Sequence, residues 1–235
     1  MFRSIDEIRT ETVRTVARLC AAAAVTAPKS GGQLLARGKP PFMETAFFDD
    51  RATLTRLAGW MRRRGAERRQ EIWFRDAAVA DRIDGVLFIG LKGWYPPIYD
   101  CGACGYATCA EFTEATRALR SDSAAFEFAG PQCNLRDIDL GIAIGSAART
   151  AAMNNVDARC QTRIAVAARK LGLIGADIAV ALSMSVTHKN PGFDNAMPRI
   201  DFAAPEAAGA PATGAMPVKD RDGRWQHRPD LEPEE

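Results

Sequence analysis

Three cysteines within nine residues constrain this 235-residue chain more than any other feature of its sequence. They stand at Cys101, Cys104 and Cys109, and a fourth, Cys133, follows further on, which makes the pattern C-x2-C-x4-C-x23-C. Thiolates are soft ligands that suit iron–sulfur clusters and zinc. The spacing therefore predicts that the chain folds around a metal centre held by these four sulfur atoms.

The residues between the cysteines favour an iron–sulfur cluster. Gly102 and Gly105 allow the backbone to curl and to direct N–H groups at the sulfurs, and Tyr106 can shield the centre from water. Zinc sites more often pair two short cysteine turns of similar length, whereas the gaps here are two and four residues, and the segment contains no histidine. A structural zinc site remains the alternative.

Charge and hydropathy exclude several classes of protein. The net charge of +2 argues against a protein that binds nucleic acid by bulk charge. The longest apolar run, residues 19–25, is far shorter than the ~20 residues that a membrane span requires. Acidic residues at positions 6, 7 and 11 do not fit a secretory signal. We expect a cytoplasmic protein, in which clustered cysteines indicate metal binding and not disulfides.

Hydrophobic periodicity predicts helices alternating with short strands. Ser4 and Glu7 form a capping box at the first helix, and Gly65 is expected to end the second helix. The pattern predicts an α+β fold with helices around a central sheet, and a doubly wound α/β sheet is the alternative. The expected helices are 5–25, 52–64, 70–82, 110–119, 138–153 and 161–171; the strands are 42–48, 85–90 and 178–182; 29–41 is a loop.

Composition divides the chain into two parts. Residues 1–202 are expected to form a single α+β domain that includes an iron–sulfur loop over 99–133. From 203 to 235, Ala, Pro, Gly and charged residues dominate, and apolar side chains are too sparse to offset the entropy of ordering. We therefore predict a disordered tail.

Some residues with possible chemical roles have simpler structural interpretations. Gly141 and Gly145 lie in a helical pattern, so close helix packing explains them better than nucleotide binding does. Asp139, like the acid at 137, suits the N-terminus of that helix. Cys20 and Cys160 fall within helical patterns and are expected to be core residues.

The cysteine segment resembles the [4Fe–4S] loop of the corrinoid iron–sulfur protein and of electron-transport-complex B subunits. Over about residues 5–195 the chain resembles the ferredoxin-domain-containing family DUF2148, a likeness that implies a bound [4Fe–4S] cluster and no particular reaction. The matching stretches besides the cysteine loop are residues 27–29, 74–77, 87–90, 138–147, 156–159, 189–191 and 193–194.

A weaker resemblance is to the flavin nitroreductase fold, in which an Ala-Pro-Ser turn borders the flavin. The sequence Ala27-Pro28-Lys29 follows the first helix here, with Lys29 where the serine would stand. The basic Arg-Arg-Ser-x-Arg opening that holds the flavin phosphate is missing from the sequence. This resemblance implies FMN as a cofactor, with Lys29 and Lys189 as candidate cofactor-binding residues.

We expect an iron–sulfur redox protein that transfers single electrons to a partner protein or a small-molecule substrate. One alternative is a flavin-dependent oxidoreductase that the cluster supplies with electrons. The other is a non-redox binding protein with a structural zinc. No nucleic acid or membrane span is expected, and a homodimer is a further arrangement compatible with the sequence.

Overall fold

The structure is a computed structural model that describes residues 4–121, 126–200 and 202, together with the backbone of 218–219 and 225–226. The helices are α1 (Ile5–Thr26), α2 (Gly32–Ala36), α3 (Arg51–Arg68), α4 (Glu71–Ala80), α5 (Cys109–Ser121), α6 (Asn134–Met153) and α7 (Thr162–Lys170). The strands are β1 (Met43–Phe48), β2 (Gly85–Leu91), β3 (Asp157–Gln161), β4 (Ile178–Ser185), β5 (Val218–Lys219) and β6 (Trp225–Gln226). As far as β4, one or two helices precede each strand.

The central sheet has four strands in the order β1-β2-β4-β3, and every neighbouring pair is antiparallel. The predicted α+β class is therefore confirmed, whereas the doubly wound alternative is wrong because such a fold requires parallel strands. A separate two-stranded pair joins β5 to β6.

Strand β2 is buried along its whole length because helices cover both faces of the sheet. Successive side chains of a strand point to opposite faces. Leu87 and Ile89 accordingly pack with α1 and α6 on one side, and Val86 and Phe88 pack with α3, α4 and α7 on the other. The continuous apolar run at 85–90 reflects this two-sided burial.

The first helix forms as the sequence predicts. The Ser4 hydroxyl accepts a hydrogen bond from the Glu7 N–H at 3.1 Å, so the capping interaction is present. Helix α1 packs against α6 through small residues that let the two axes approach closely. They are Ala17, Cys20 and Ala24 on α1, and Ala143, Ala147 and Ala151 on α6.

Several predicted details differ from the structure. Gly65 does not end its helix: it lies inside α3, where the ring of Phe74 and the Cβ of Trp73 occupy the space that a side chain would need. Predicted loop 29–41 contains the short helix α2. Cys160 lies on strand β3, which periodicity missed, and it is exposed, whereas Cys20 is a core residue as expected.

The small-residue pattern on α6 also has a different meaning. A Cβ atom added to Gly141 or Gly145 would meet no other heavy atom within 4 Å, so these glycines do not serve close packing. The alanines on the neighbouring positions of α6 make the contacts with α1 instead.

No helix in the described ranges is long and apolar enough to span a bilayer. The predicted disordered tail, 203–235, lies outside the described residues except for the paired dipeptides of β5 and β6.

The two glycines of α3 provide a matched test of this packing. Alanine raises helix propensity by about 1 kcal/mol relative to glycine. At position 65, however, its Cβ would lie 2.6 Å from the Phe74 ring, and overpacking of this kind costs about 1–3 kcal/mol. We expect Gly65→Ala to lower the free energy of unfolding, measured in urea, by about 1 kcal/mol.

Gly59→Ala serves as the control because its Cβ would make only an ordinary contact, at 3.7 Å from Arg63. This variant should raise the free energy of unfolding by about 0.5–1 kcal/mol. Equal effects at both positions would show that Gly65 is not packed against Phe74.

Candidate metal centre

The chain leaves the sheet at the end of β2 and returns to regular structure at Cys109, the first residue of α5. The last part of this connection, residues 101–109, is the cysteine loop. Gly102 and Gly105 adopt positive φ angles of 71° and 88°, and the Gly105 N–H donates to the Gly102 carbonyl at 2.9 Å. Glycine adopts this left-handed conformation without a steric penalty. The two glycines thus allow the tight turn between Cys101 and Cys109 that the sequence predicts.

Two residues that precede the loop also have positive φ angles although they carry side chains. Ile98 has φ 61° and Asp100 has φ 47°. A β-branched residue in this region is a genuine outlier, and strain of this kind is concentrated at functional sites. The Asp100 carboxylate accepts a hydrogen bond from the Cys109 N–H at 2.6 Å and so satisfies a free donor at the start of α5.

Cys133 is the residue that precedes α6, and it is buried, with 5% of its surface exposed. Helix α6 begins at Asn134, four residues before the predicted start, because this first turn packs against the cysteine loop. The Asn134 side-chain amide donates a hydrogen bond to the Ala103 carbonyl between the first two cysteines. This bond fixes the position of Cys133 relative to the loop.

All four sequence-predicted cysteines line one pocket. Their exposure is graded: Cys101 is exposed, Cys104 and Cys109 are half-buried, and Cys133 is buried. The chemistry of this donor set, four thiols and no histidine, fits an iron–sulfur cluster. The other residues that line the pocket include Pro96, Pro97, Tyr106, Phe112, Asn134 and Leu135.

Aromatic side chains form an apolar wall on one side of this pocket. Trp94 stacks on Phe112 with ring centroids 5.9 Å apart, and Tyr106 meets Phe112 edge to face at 5.7 Å. Trp94 and Phe112 belong to the core layer of α1 and α6, and Tyr106 packs against that layer. The pocket is therefore continuous with the hydrophobic core, and Tyr106 lies where it can limit access of water.

Opposing effects act on the Cys133 thiol. Burial raises its pKa, because a thiolate is poorly solvated there, and the nearby Cys104 raises it further. The backbone N–H groups of Leu135 and Arg136 and the Arg136 charge act in the other direction. These donors lie at the N-terminus of α6, where the helix dipole also favours negative charge.

Within the described ranges, no three His, Cys, Asp or Glu side chains come together as the ligands of a single metal ion would, so the four cysteines share the lining of the pocket without converging on one ion position.

The two lysines predicted to bind a cofactor do not come together. The Lys29 ammonium donates to the carbonyls of Ala24, Val25 and Ala27 at 2.8, 2.9 and 2.7 Å, so all three of its protons serve the end of α1. Its pKa is lowered by burial, and Asp139 opposes this shift.

Lys189 lies in an exposed loop near the other end of α6. Its neighbours Thr187 and Asn190 line a cleft with Ala148, which is nine residues beyond Asp139, or about 14 Å along the helix. Lys29 and Lys189 therefore face different surroundings.

A buried ion pair beside Cys133 was missed by the sequence interpretation. Arg136 and Asp139 are 0% and 1% exposed, and the Arg136 Nη1 lies 2.6 Å from the Asp139 Oδ2. The prediction that Asp139 is a helix-capping acid is therefore wrong. The spacing of an arginine and an aspartate by three residues in a helix was the available signal, but their burial depends on neighbours that are distant in sequence.

The fold and the pocket together define a class: an α+β protein with a four-cysteine site at a helix N-terminus. Comparison with protein families supports this class. The model of a family described as "Uncharacterized protein containing a ferredoxin domain (DUF2148)" matches residues 129–195, and that of the FeS family of Fe–S cluster segments matches 97–118. Cys133 falls within the first match and the other three cysteines within the second.

A relative at full length agrees with these matches. An uncharacterized protein of Archaeoglobus fulgidus is 36% identical over 196 residues, which cover 83% of this chain and 98% of the relative. The chain belongs to the DUF2148 family of ferredoxin-domain proteins, as the sequence resemblance predicts, and the two matched families identify it as an iron–sulfur protein.

Among solved structures, nitroreductase A from Vibrio parahaemolyticus is similar with a TM-score of 0.42 and 11% sequence identity. The match covers 81% of this chain and 63% of that structure, so the chain spans less than two thirds of the nitroreductase.

Asp100 both accepts the hydrogen bond from Cys109 and adopts a positive φ angle, so three substitutions at this position should differ in their effect on the stability of the metal-free protein. Asp100→Ala loses the hydrogen bond to Cys109 and keeps the positive φ, and we expect it to lower the free energy of unfolding by about 1 kcal/mol. Asp100→Asn keeps an acceptor and tolerates the left-handed conformation, and Asp100→Gly relieves the strain. Both should lie within about 0.5 kcal/mol of the parent in a urea titration. An Ala variant as stable as the Asn variant would contradict the capping role.

Proposed function

We propose that the protein holds a [4Fe–4S] cluster through Cys101, Cys104, Cys109 and Cys133 and acts as a single-electron carrier. The observation that carries the proposal is that the pocket lined by the three loop cysteines is also lined by Cys133, which is 24 residues further along the chain. Four thiols on one pocket are the ligand set that such a cluster requires.

The residues around the pocket have distinct tasks in this proposal. The turn at Gly102 and Gly105 presents the loop cysteines, and the start of α6 presents Cys133. Tyr106 and Phe112 restrict water on the core side. When bound, the cluster accepts and releases one electron at a time, at a potential that hydrogen bonds to sulfur and solvent exposure adjust.

The graded exposure of the cysteines suggests the route of the electron. Cys101 is exposed, whereas Cys133 is buried against the core. A redox partner protein or a small-molecule acceptor would approach the side of the pocket on which Cys101 is exposed. It would receive one electron there without displacing any cysteine ligand. We assign this activity to the cytoplasm, where thiols remain reduced and available as ligands.

The flavin-dependent alternative implies a cofactor site that includes Lys29 and Lys189. The described geometry offers it little support, because Lys29 is engaged by the end of α1 and Lys189 lies near the other end of α6. The structural-zinc alternative uses the same cysteines, and it is distinguished from the proposal by the metal and sulfide content of the purified protein.

Anaerobic purification followed by metal, sulfide and flavin analysis tests the proposal against both alternatives. We expect iron and acid-labile sulfide in equal amounts, about four of each per chain. Flavin released on denaturation would favour the oxidoreductase, and zinc without sulfide would favour a structural site. Either result, obtained without iron, would overturn the proposal.

Replacement of single cysteines tests the ligand assignment. Ala at position 101, 104, 109 or 133 should abolish the visible absorption of the cluster and lower the iron content at least several-fold, because each replacement removes a sulfur ligand. Cys20→Ala and Cys160→Ala are the matched controls, since Cys20 lies in the contact between α1 and α6 and Cys160 lies on the edge strand β3. Both variants should retain the full iron content. A full cluster in Cys133→Ala would show that the fourth ligand is misassigned.

A further inference from the structure

The first turn of α6 places a positive charge in the interior of the protein beside Cys133. Arg136 is fully buried, at 0% exposure, and its backbone N–H donates to the Cys133 carbonyl at 2.8 Å. Arginine stays protonated under all ordinary conditions. A cation therefore lies one helical turn from the residue assigned as the fourth ligand.

Arg136 connects three segments that meet at this point. Its Nε donates to the Tyr95 carbonyl at 2.6 Å, and its Nη1 donates to the Ser30 carbonyl at 2.8 Å and to the Asp139 carboxylate. Asp139 in turn accepts a hydrogen bond from the Ser30 N–H at 2.7 Å. Tyr95 lies in the segment that leads to Cys101, so the guanidinium group joins the chain before the cysteine loop to the helix that carries Cys133.

Aromatic rings enclose the same guanidinium group. The Arg136 Cζ lies 4.0 Å from the centroid of the Phe42 ring and 5.3 Å from that of the Tyr95 ring. Its Nη2 is buried and has no hydrogen-bond partner within the described residues. The charge is thus removed from water, and its electrostatic influence is much less screened than that of a surface arginine.

The orientation of the ion pair decides the sign of its effect. Arg136 is three residues from Cys133 along α6 and is joined to it by a backbone hydrogen bond, whereas Asp139 is six residues from Cys133. Asp139 is therefore one helical turn further from Cys133. The pair is neutral as a whole, but its positive member is the one nearer to Cys133 along the helix.

We propose that Arg136 is the positioning residue of the metal centre: it holds Cys133 against the cysteine loop and, as a buried cation, raises the reduction potential of the bound cluster. The inference rests on the proposed function. Reduction adds one negative charge to the centre, and a nearby unscreened cation stabilises the reduced form more than the oxidised form.

The double variant Arg136→Met/Asp139→Leu tests the electrostatic part without leaving an unpaired buried charge, a change that proteins often tolerate. We expect its equilibrium constant for one-electron reduction to fall at least tenfold, which corresponds to a fall of 59 mV in midpoint potential. Arg136→Lys keeps the charge and should stay within about threefold of the parent, or less than half of that shift.

Arg149→Met is the matched control on the same helix. Arg149 is exposed and lies about 20 Å along the axis from Arg136, beyond the distance at which exposed charges act strongly. Its potential should equal that of the parent. Each variant is also analysed for iron and sulfide, so that potentials are compared only between fully loaded proteins.

The outcomes separate this inference from the proposed function. Parent protein without iron and sulfide would overturn the proposed function itself. A fully loaded double variant with an unchanged or higher potential would overturn the role of Arg136. If the double variant loses its cluster while Arg136→Lys keeps it, the positioning role is supported. In that case the midpoint potential is measured in Asp139→Asn. Removal of the compensating carboxylate should raise this potential, and a fall or no change would overturn the electrostatic role.

Discussion

The attachment of the α6 N-terminus to the cysteine loop is the constraint on which the four-cysteine pocket depends. Cys133 is 24 residues from Cys109, and nothing in that spacing alone brings its thiol to the others. Hydrogen bonds from Asn134 to the loop and from Arg136 to the segment before the loop close the distance. The pocket with four cysteines is therefore a product of tertiary contacts around one helix end.

The surroundings of this helix end explain why a charged pair can be buried there. Desolvation of an arginine and an aspartate is expensive unless their hydrogen bonds are satisfied. Backbone groups of Ser30 and Tyr95 supply several of these bonds, and Phe42 contributes its ring face. The same contacts fasten the turn after α1 to the site, so the long α1–α6 pair serves as a rigid support for the pocket.

Sequence patterns were reliable where a single segment contains the whole signal. The helix start at Ser4 and the buried strand at 85–90 are examples, because a cap and an apolar run act over a few residues. Patterns failed where a distant neighbour decides the outcome. Gly65 is of a residue type that commonly ends helices, yet it lies in the interior of α3. A glycine is needed there because the Phe74 ring occupies the space that a side chain at position 65 would fill.

Short elements and charged residues show the same limit. Strand β3 has no apolar run of its own, since it pairs at the edge of the sheet with β4, and Cys160 was consequently placed in a helix. Asp139 has the position of a helix-capping acid, but it is buried and accepts hydrogen bonds from Arg136 and from the Ser30 N–H. Local propensity does not predict such contacts, because they depend on residues about a hundred positions away.

The sequence by itself indicated four candidate thiol ligands and determined the tight glycine turn of the loop, the α+β class and the family. These follow from residue types and from spacings within one segment. Only the tertiary structure decided that Cys133 lines the pocket of the other three cysteines, that Lys29 caps α1 and stands apart from Lys189, and that a cation is buried beside the site. Each of these depends on which remote segments pack together, and that is set by the burial of apolar surface over the whole chain.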